Sequence, residues 1–259
     1  MRGVAGTHGL RLAGIERYGP ADPMIKGGRR WWVSDTRTTP ALPRRRWVPV
    51  FAGLSALCFA VAAVLTQQVV AQTPPTWDAT VAIAFHEAAR SSGLLVIVGQ
   101  LLRWAGSPLV LVPLTIVIVV LLAARGYRGW AIYLAVTSLG GAVVSEVVDA
   151  AVGRERPVWS DPIAAATDYA FPSGHALGGV TTWVVYGIVV LFVVPGGRGI
   201  AVGLWTAGVL MGVGRLILGV HWPSDVIAGW MFGAGWVLAV SAAALGVVNR
   251  REVPPDERV

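Results

Sequence analysis

The chain has one cysteine, Cys58, and one lysine, Lys26, in 259 residues. A lone thiol inside an apolar run excludes both a disulfide framework and a cysteine-built metal site. Charge of either sign is also scarce. Asp, Glu, Lys and Arg make up 14% of the residues, against about 25% in a soluble domain, so an ordinary globular enzyme is a poor fit. What fills the space is apolar. Hydrophobic residues reach 55% with a mean hydropathy of +0.64, and they come in blocks long enough to cross a bilayer. Net charge is +7 (21 basic minus 14 acidic) with a pI near 10.5, a balance that would suit nucleic acid if it were spread over a domain. Ten of the 21 basic residues instead fall in the first 46 positions, so no nucleic-acid partner is expected. The partners implied are membrane lipids. Composition leaves the oligomeric state open.

Uncharged blocks at 47–71, 104–124, 129–145, 174–197, 199–214 and 226–249 reach or approach the roughly 20 apolar residues that a membrane-crossing helix needs. They predict an all-α, polytopic membrane bundle of six transmembrane helices, with both chain ends on one side. Of the basic residues, 16 fall on the side of the N-terminus, and five (Arg90, Arg103, Arg154, Arg156 and Arg215) fall opposite. The positive-inside rule therefore predicts an N-in/C-in topology in the plasma (inner) membrane. The domain organisation that follows is a basic, disordered cytoplasmic tail at 1–46, a membrane domain at 47–249 and a short cytoplasmic tail at 250–259. Within the membrane domain, the segment 74–93 mixes Trp77, Val81, Ile83 and Phe85 with Asp78, His86, Glu87 and Arg90. That is the pattern of an amphipathic helix lying in the interface. His86-Glu87 opens a zinc-protease motif, but the second histidine it requires falls at Arg90, so no metal site and no cofactor are expected.

The remaining loops on the predicted outer face gather residues that insertion into a bilayer does not explain. They are Gly153-Arg154-Glu155-Arg156-Pro157, Phe171-Pro172-Ser173-Gly174-His175, and the stretch from Arg215 to Asp225 that contains His221-Trp222-Pro223-Ser224. Each places charge at the end of an apolar span, where charge is expensive and usually functional. Pro172 and the small residues after it precede an apolar helix, so the amides of Ser173 and Gly174 point along the positive end of its dipole, a site for an anion such as phosphate. Ser173 is equally the residue type of a plain helix cap. His175 beside it is a ready general acid. Pro223 suits a first helical turn, which puts His221 just before that helix and Asp225 where an acid reaches back to the cap. There Asp225 can accept a hydrogen bond from His221 and fix its tautomer, or serve only the helix dipole. Arg215 carries a planar fork suited to phosphate.

Together the three segments resemble the type 2 phosphatidic acid phosphatase (PAP2) superfamily, whose signature is Lys-x6-Arg-Pro, Pro-Ser-Gly-His and Ser-Arg-x5-His-x3-Asp. Here they read Arg156-Pro157, Pro172-Ser173-Gly174-His175 and Arg215-x5-His221-x3-Asp225, in that order. Two positions depart from it. Asp149 stands where the signature lysine falls, and Gly214 replaces the serine before Arg215. Either Arg154 covers the lost charge, with Asp149 paired to Arg154 or Arg156, or activity is reduced or altered.

The resemblance implies a six-helix membrane phosphatase that hydrolyses a lipid phosphate or diphosphate without a metal, through a phosphohistidine, on the extracytoplasmic side. The implied catalytic residues are His221 as nucleophile, His175 as acid and Asp225 as the orienting carboxylate. Arg156, Arg215, Ser173, Gly174 and Arg154 would bind the phosphate. Trp77, Trp104, Trp159 and Trp222 would line the interfacial approach. An Ala-, Gly- and Arg-rich composition nearly free of lysine suggests a high-GC bacterium, for which polyprenyl diphosphate is the favoured substrate. The alternative prompted by Asp149 is an impaired relative that binds or flips phospholipid without hydrolysis.

Overall fold

A computed structural model describes residues 46–252, the last four as backbone only. Of the expected tails, 1–46 and 250–259, residues 1–45 and 253–259 lie outside the described residues, and 250–252 continue the last helix. Among the described residues eight helices follow one another: α1 Trp47–Val70, α2 Trp77–Arg90, α3 Gly93–Ala105, α4 Pro108–Ala124, α5 Arg128–Val152, α6 Gly174–Val193, α7 Arg198–Ile217 and α8 Pro223–Glu252. No strand occurs among the described residues. α1, α5, α6, α7 and α8 are each long and apolar enough to cross a membrane, and α2 with α3 forms a pair bent by 112° that passes the same test as one broken span. The remaining apolar helix, α4, has 17 residues, or about 25 Å of rise.

Two boundaries differ from the apolar pattern, each for a local reason. The block at 104–124 is not one helix. Pro108 opens α4 and forces Ser107 into extended backbone (φ −74°, ψ 149°), so Trp104 belongs to α3 instead. In the other direction, α5 runs seven residues past Ser145 and carries Glu146 and Asp149 on its last turns. Nothing breaks it until Gly153, whose φ of 62° is the left-handed conformation of a helix C-terminus.

α8 is the central element. Ser55 of α1 donates to its Gly235 carbonyl at 2.8 Å, and Tyr133 of α5 bonds its Ser241 at 2.8 Å. Leu134, Val185, Tyr186, Val189 and Val237 form the core where α5, α6 and α8 meet. α6 and α7 cross where Gly179 faces Gly208, and a Cβ on either would run into the backbone of the other. An apolar cavity of about 290 Å³ lies among Phe51, Trp130, Tyr133, Phe192 and Val237, at the early turns of α5 and the late turns of α6 and α8. The signature segments meet at the opposite end.

Candidate active site

His221 sits in the short turn between α7 and α8 and is buried. The turn passes through Gly219 at φ +69°, whose carbonyl accepts the Trp159 indole N–H at 2.7 Å. The His221 ring is held on both edges. Its Nδ1 lies 2.8 Å from the Ala170 carbonyl, which can only accept, and its Nε2 lies 2.9 Å from Arg156 Nη1, which can only donate. One tautomer satisfies both contacts, with the proton on Nδ1 and the lone pair on Nε2. Burial, then the charges of Arg156 and Arg215, hold its pKa well below the ordinary 6.5, so the ring is neutral.

The orienting acceptor is therefore not the expected carboxylate. Asp225 Oδ2 stands 3.6 Å from His221 Nδ1, outside hydrogen-bond reach, and the Ala170 carbonyl takes its place. Asp225 does make the reach-back of a capping box, accepting the Trp222 N–H at 2.7 Å. Its other oxygen accepts from Arg154 Nη1.

Arg154 corrects a second expectation. Its fork is not open to a phosphate. Nη2 pairs with Asp78 Oδ2 at 2.8 Å, Nη1 bonds both Asp225 and Ser224 Oγ, and the guanidinium lies over the Trp222 ring. Asp78 also accepts the Ser224 N–H at 2.8 Å and the Ser224 hydroxyl at 2.5 Å. Two carboxylates and one guanidinium thus fasten α2 and the 153–173 loop to the first turn of α8. Asp149, meanwhile, makes no ion pair with Arg154, Arg156 or any other described residue.

Arg156 and Arg215 differ in what they have left to give. Arg156 bonds the carbonyls of Asp168, Tyr169 and Val220 at 2.8, 2.7 and 2.5 Å, and it pairs with the Asp168 carboxylate at 2.9 Å. Arg215 is buried at the end of α7 with its Nε unbonded and no acid within ion-pair distance among the described residues. A buried guanidinium without a partner is costly unless an anion joins it.

At the mouth of α6 the cap expectation also changes. Ser173 makes no side-chain cap bond, and its buried hydroxyl has no partner among the described residues. Its amide, counted among the anion donors, is spent on the Asp225 carbonyl at 3.0 Å. That leaves the amides of Gly174 and His175 and the Ser173 hydroxyl. His175 Nε2 lies 3.1 Å from the Arg103 carbonyl, so Nε2 carries the proton and Nδ1 the lone pair. His175, Arg215 and His221 lie within electrostatic reach of one another.

Nearby, His86 is buried and stacked on Trp159 at 4.0 Å, and it bonds Asp161 at 3.3 Å. The same Asp161 pairs with Arg90 at 2.5 Å, and the bond from His86 holds its pKa below the ordinary carboxylate value. Of the four tryptophans, Trp77 and Trp104 remain exposed, whereas Trp159 packs on His86 and Trp222 donates to the Glu155 carbonyl at 3.1 Å. Asp78, Asp168 and the carbonyls of Ala170 and Arg103 carry no motif. Only Asp78 leaves a sequence signal: with Ala82, His86 and Ala89 it forms the buried stripe of α2, so an acid falls on an inward face.

Two histidines, a buried guanidinium with no partner among the described residues and the first amides of α6 gather at one end of a membrane-type helical bundle, and the class that this fold defines is a polytopic membrane protein. Residues 130–246 match the PAP2 superfamily, and the chain belongs to that superfamily. The undecaprenyl-diphosphatase of Sulfolobus acidocaldarius is 30% identical over 181 residues, covering 66% of this chain and 79% of that protein. The fold is similar to the crystal structure of a transmembrane PAP2-type phosphatidylglycerolphosphate phosphatase from Bacillus subtilis. The TM-score is 0.58 at 19% identity, with 81% of this chain and 99% of that one covered.

Proposed function

We propose that this protein hydrolyses a lipid phosphate or diphosphate, a polyprenyl diphosphate before others, through a phosphohistidine and without a metal ion. The observation that carries the reading is His221, neutral and held so that Nε2 keeps its lone pair, with Arg156 against it and Arg215 unpaired nearby. Nε2 attacks phosphorus, and the bond from phosphorus to the lipid oxygen breaks. That oxygen takes a proton from His175 in its imidazolium form: Nε2–H stays on the Arg103 carbonyl, and the proton transferred is one that Nδ1 takes up from the incoming phosphate monoanion. Water then attacks the phosphohistidine and gives its proton to His175 Nδ1, releasing phosphate and restoring both histidines. Arg156, Arg215, the amides of Gly174 and His175 and the Ser173 hydroxyl neutralise the equatorial oxygens, the main catalytic demand of phosphoryl transfer. Asp225 serves by holding Trp222 and Arg154, and so the turn that carries His221.

The diphosphate preference draws support from the Sulfolobus relative, and the extracytoplasmic placement of the site from the excess of basic residues on the N-terminal side. Phosphate release from farnesyl diphosphate, phosphatidic acid and phosphatidylglycerophosphate in detergent with EDTA tests the reading. Wild type turns over at least one of these lipids and His221→Ala none, with unchanged folding. Unchanged turnover by the variant removes the mechanism. A second reading rests on Asp149, an acid with no ion-pair partner among the described residues where the signature has a cation: a relative that binds or flips phospholipid without hydrolysis. Lipid binding with no release from any of the three would favour it.

A further inference from the structure

Arg103 lies outside all three signature segments, yet its backbone belongs to the site, because its carbonyl accepts the Nε2–H of His175 at 3.1 Å. Three glycines set that contact. A Cβ on Gly99 would stand 3.0 Å from the Leu218 side chain, one on Gly106 2.8 Å from the His175 ring, and one on Gly214 2.8 Å from Leu102 Cβ. α3 therefore approaches α7 and the mouth of α6 as closely as backbone allows. The serine missing at Gly214 and the nearness of Leu102 are linked, since a side chain there would push away the turn that carries Arg103.

The Arg103 side chain is exposed, and its one hydrogen bond to a described residue goes to Gln100 of the same helix, at 3.1 Å. Its charge reaches both His175 and Arg215. The other cations here are largely spent: Arg154 on Asp78 and Asp225, Arg156 on Asp168, Arg90 on Asp161. Two guanidiniums at this end of the bundle have no carboxylate partner among the described residues, Arg215 in the interior and Arg103 at the rim.

Resting on the phosphatase reading above, we propose that Arg103 binds the second phosphate of a diphosphate substrate. With the terminal phosphorus at His221, the leaving group is itself a phosphate, and it departs beside His175, the residue Arg103 adjoins. Arg103 holds that group as the anhydride bond breaks and its oxygen takes the proton of His175. A monophosphate lipid has no group to place there.

The test compares wild type, Arg103→Gln and Arg103→Lys on farnesyl diphosphate and farnesyl monophosphate, in detergent free of phospholipid. Both variants keep the carbonyl that binds His175. In Arg103→Gln, kcat/KM for the diphosphate falls about 10- to 100-fold relative to its value for the monophosphate, and Arg103→Lys recovers part of the ratio. An unchanged ratio, whether both activities persist or both fall together, overturns the inference alone. A wild type that releases phosphate from neither lipid overturns the phosphatase reading and this inference with it.

Discussion

His221 needs no carboxylate to choose its tautomer, because a carbonyl on one edge and a guanidinium on the other leave one arrangement of proton and lone pair. That guanidinium and Arg215 disfavour the charged ring, which would set the pH at which the proposed nucleophile fails. Protonation would take away the attacking lone pair. With the pKa held down by burial, Arg156 and Arg215, phosphohistidine formation should persist well below pH 6.5. Arg215→Gln removes one opposing cation, so the acid limb of the single-turnover pH profile moves upward toward 6.5 while the rate falls. An acid limb fixed at its wild-type position would mean that Arg215 does not act on His221. The residues proposed to do the chemistry were legible in the sequence because their types and spacing are chemical. The partners that tune them were not. A carbonyl such as Ala170 has no letter of its own, and Arg154 reads as a free cation until Asp78, 76 positions away, is brought against it.

At the scale of helices, α2 is part of the site and not merely an interfacial float, since Asp78 ties it to Arg154 and Ser224. Asp78→Ala would leave Arg154 half-paired and the Ser224 amide unbonded in a buried place. We expect a loss of about 3–5 kcal/mol, typical of breaking a buried ion pair from one side, read as a lower thermal midpoint in detergent. A midpoint within a degree of wild type would show the network to be idle. The helices that cross the bundle were legible because a bilayer demands long apolar runs. The break at Gly106 and Ser107 was not, because the apolar run continues through it and only Pro108 marks it. The α3–α7 seam gives a sharper case. Gly214→Ser restores the family's usual residue, yet it should destabilise this protein by about 1–3 kcal/mol through overpacking against Leu102. Against a Leu102→Gly background, which removes the Cβ in the way, most of that cost should disappear. Gly214→Ser with unchanged stability would show that the seam has slack.

For the whole molecule, the question is which face of the membrane the site opens on. The 153–173 loop, the mouth of α6 and the α7–α8 turn meet at one end, while the α4–α5 and α6–α7 connections, bearing Arg125 and Arg198, lie at the helices' other ends. The topology proposed from the basic count has those two connections in the cytoplasm and the site outside it. The single cysteine makes this testable without rebuilding the chain. In a Cys58→Ser background, Val158→Cys adds a thiol at a side chain 92% exposed on the site loop. Gly199→Cys adds one near the α6–α7 turn, where a Cβ meets no atom within 4 Å. A membrane-impermeant maleimide should label Val158→Cys in intact cells and Gly199→Cys only after permeabilisation. The reverse pattern would put the site in the cytoplasm, and a substrate displayed on the outer leaflet could not reach His221 without first being flipped across the bilayer.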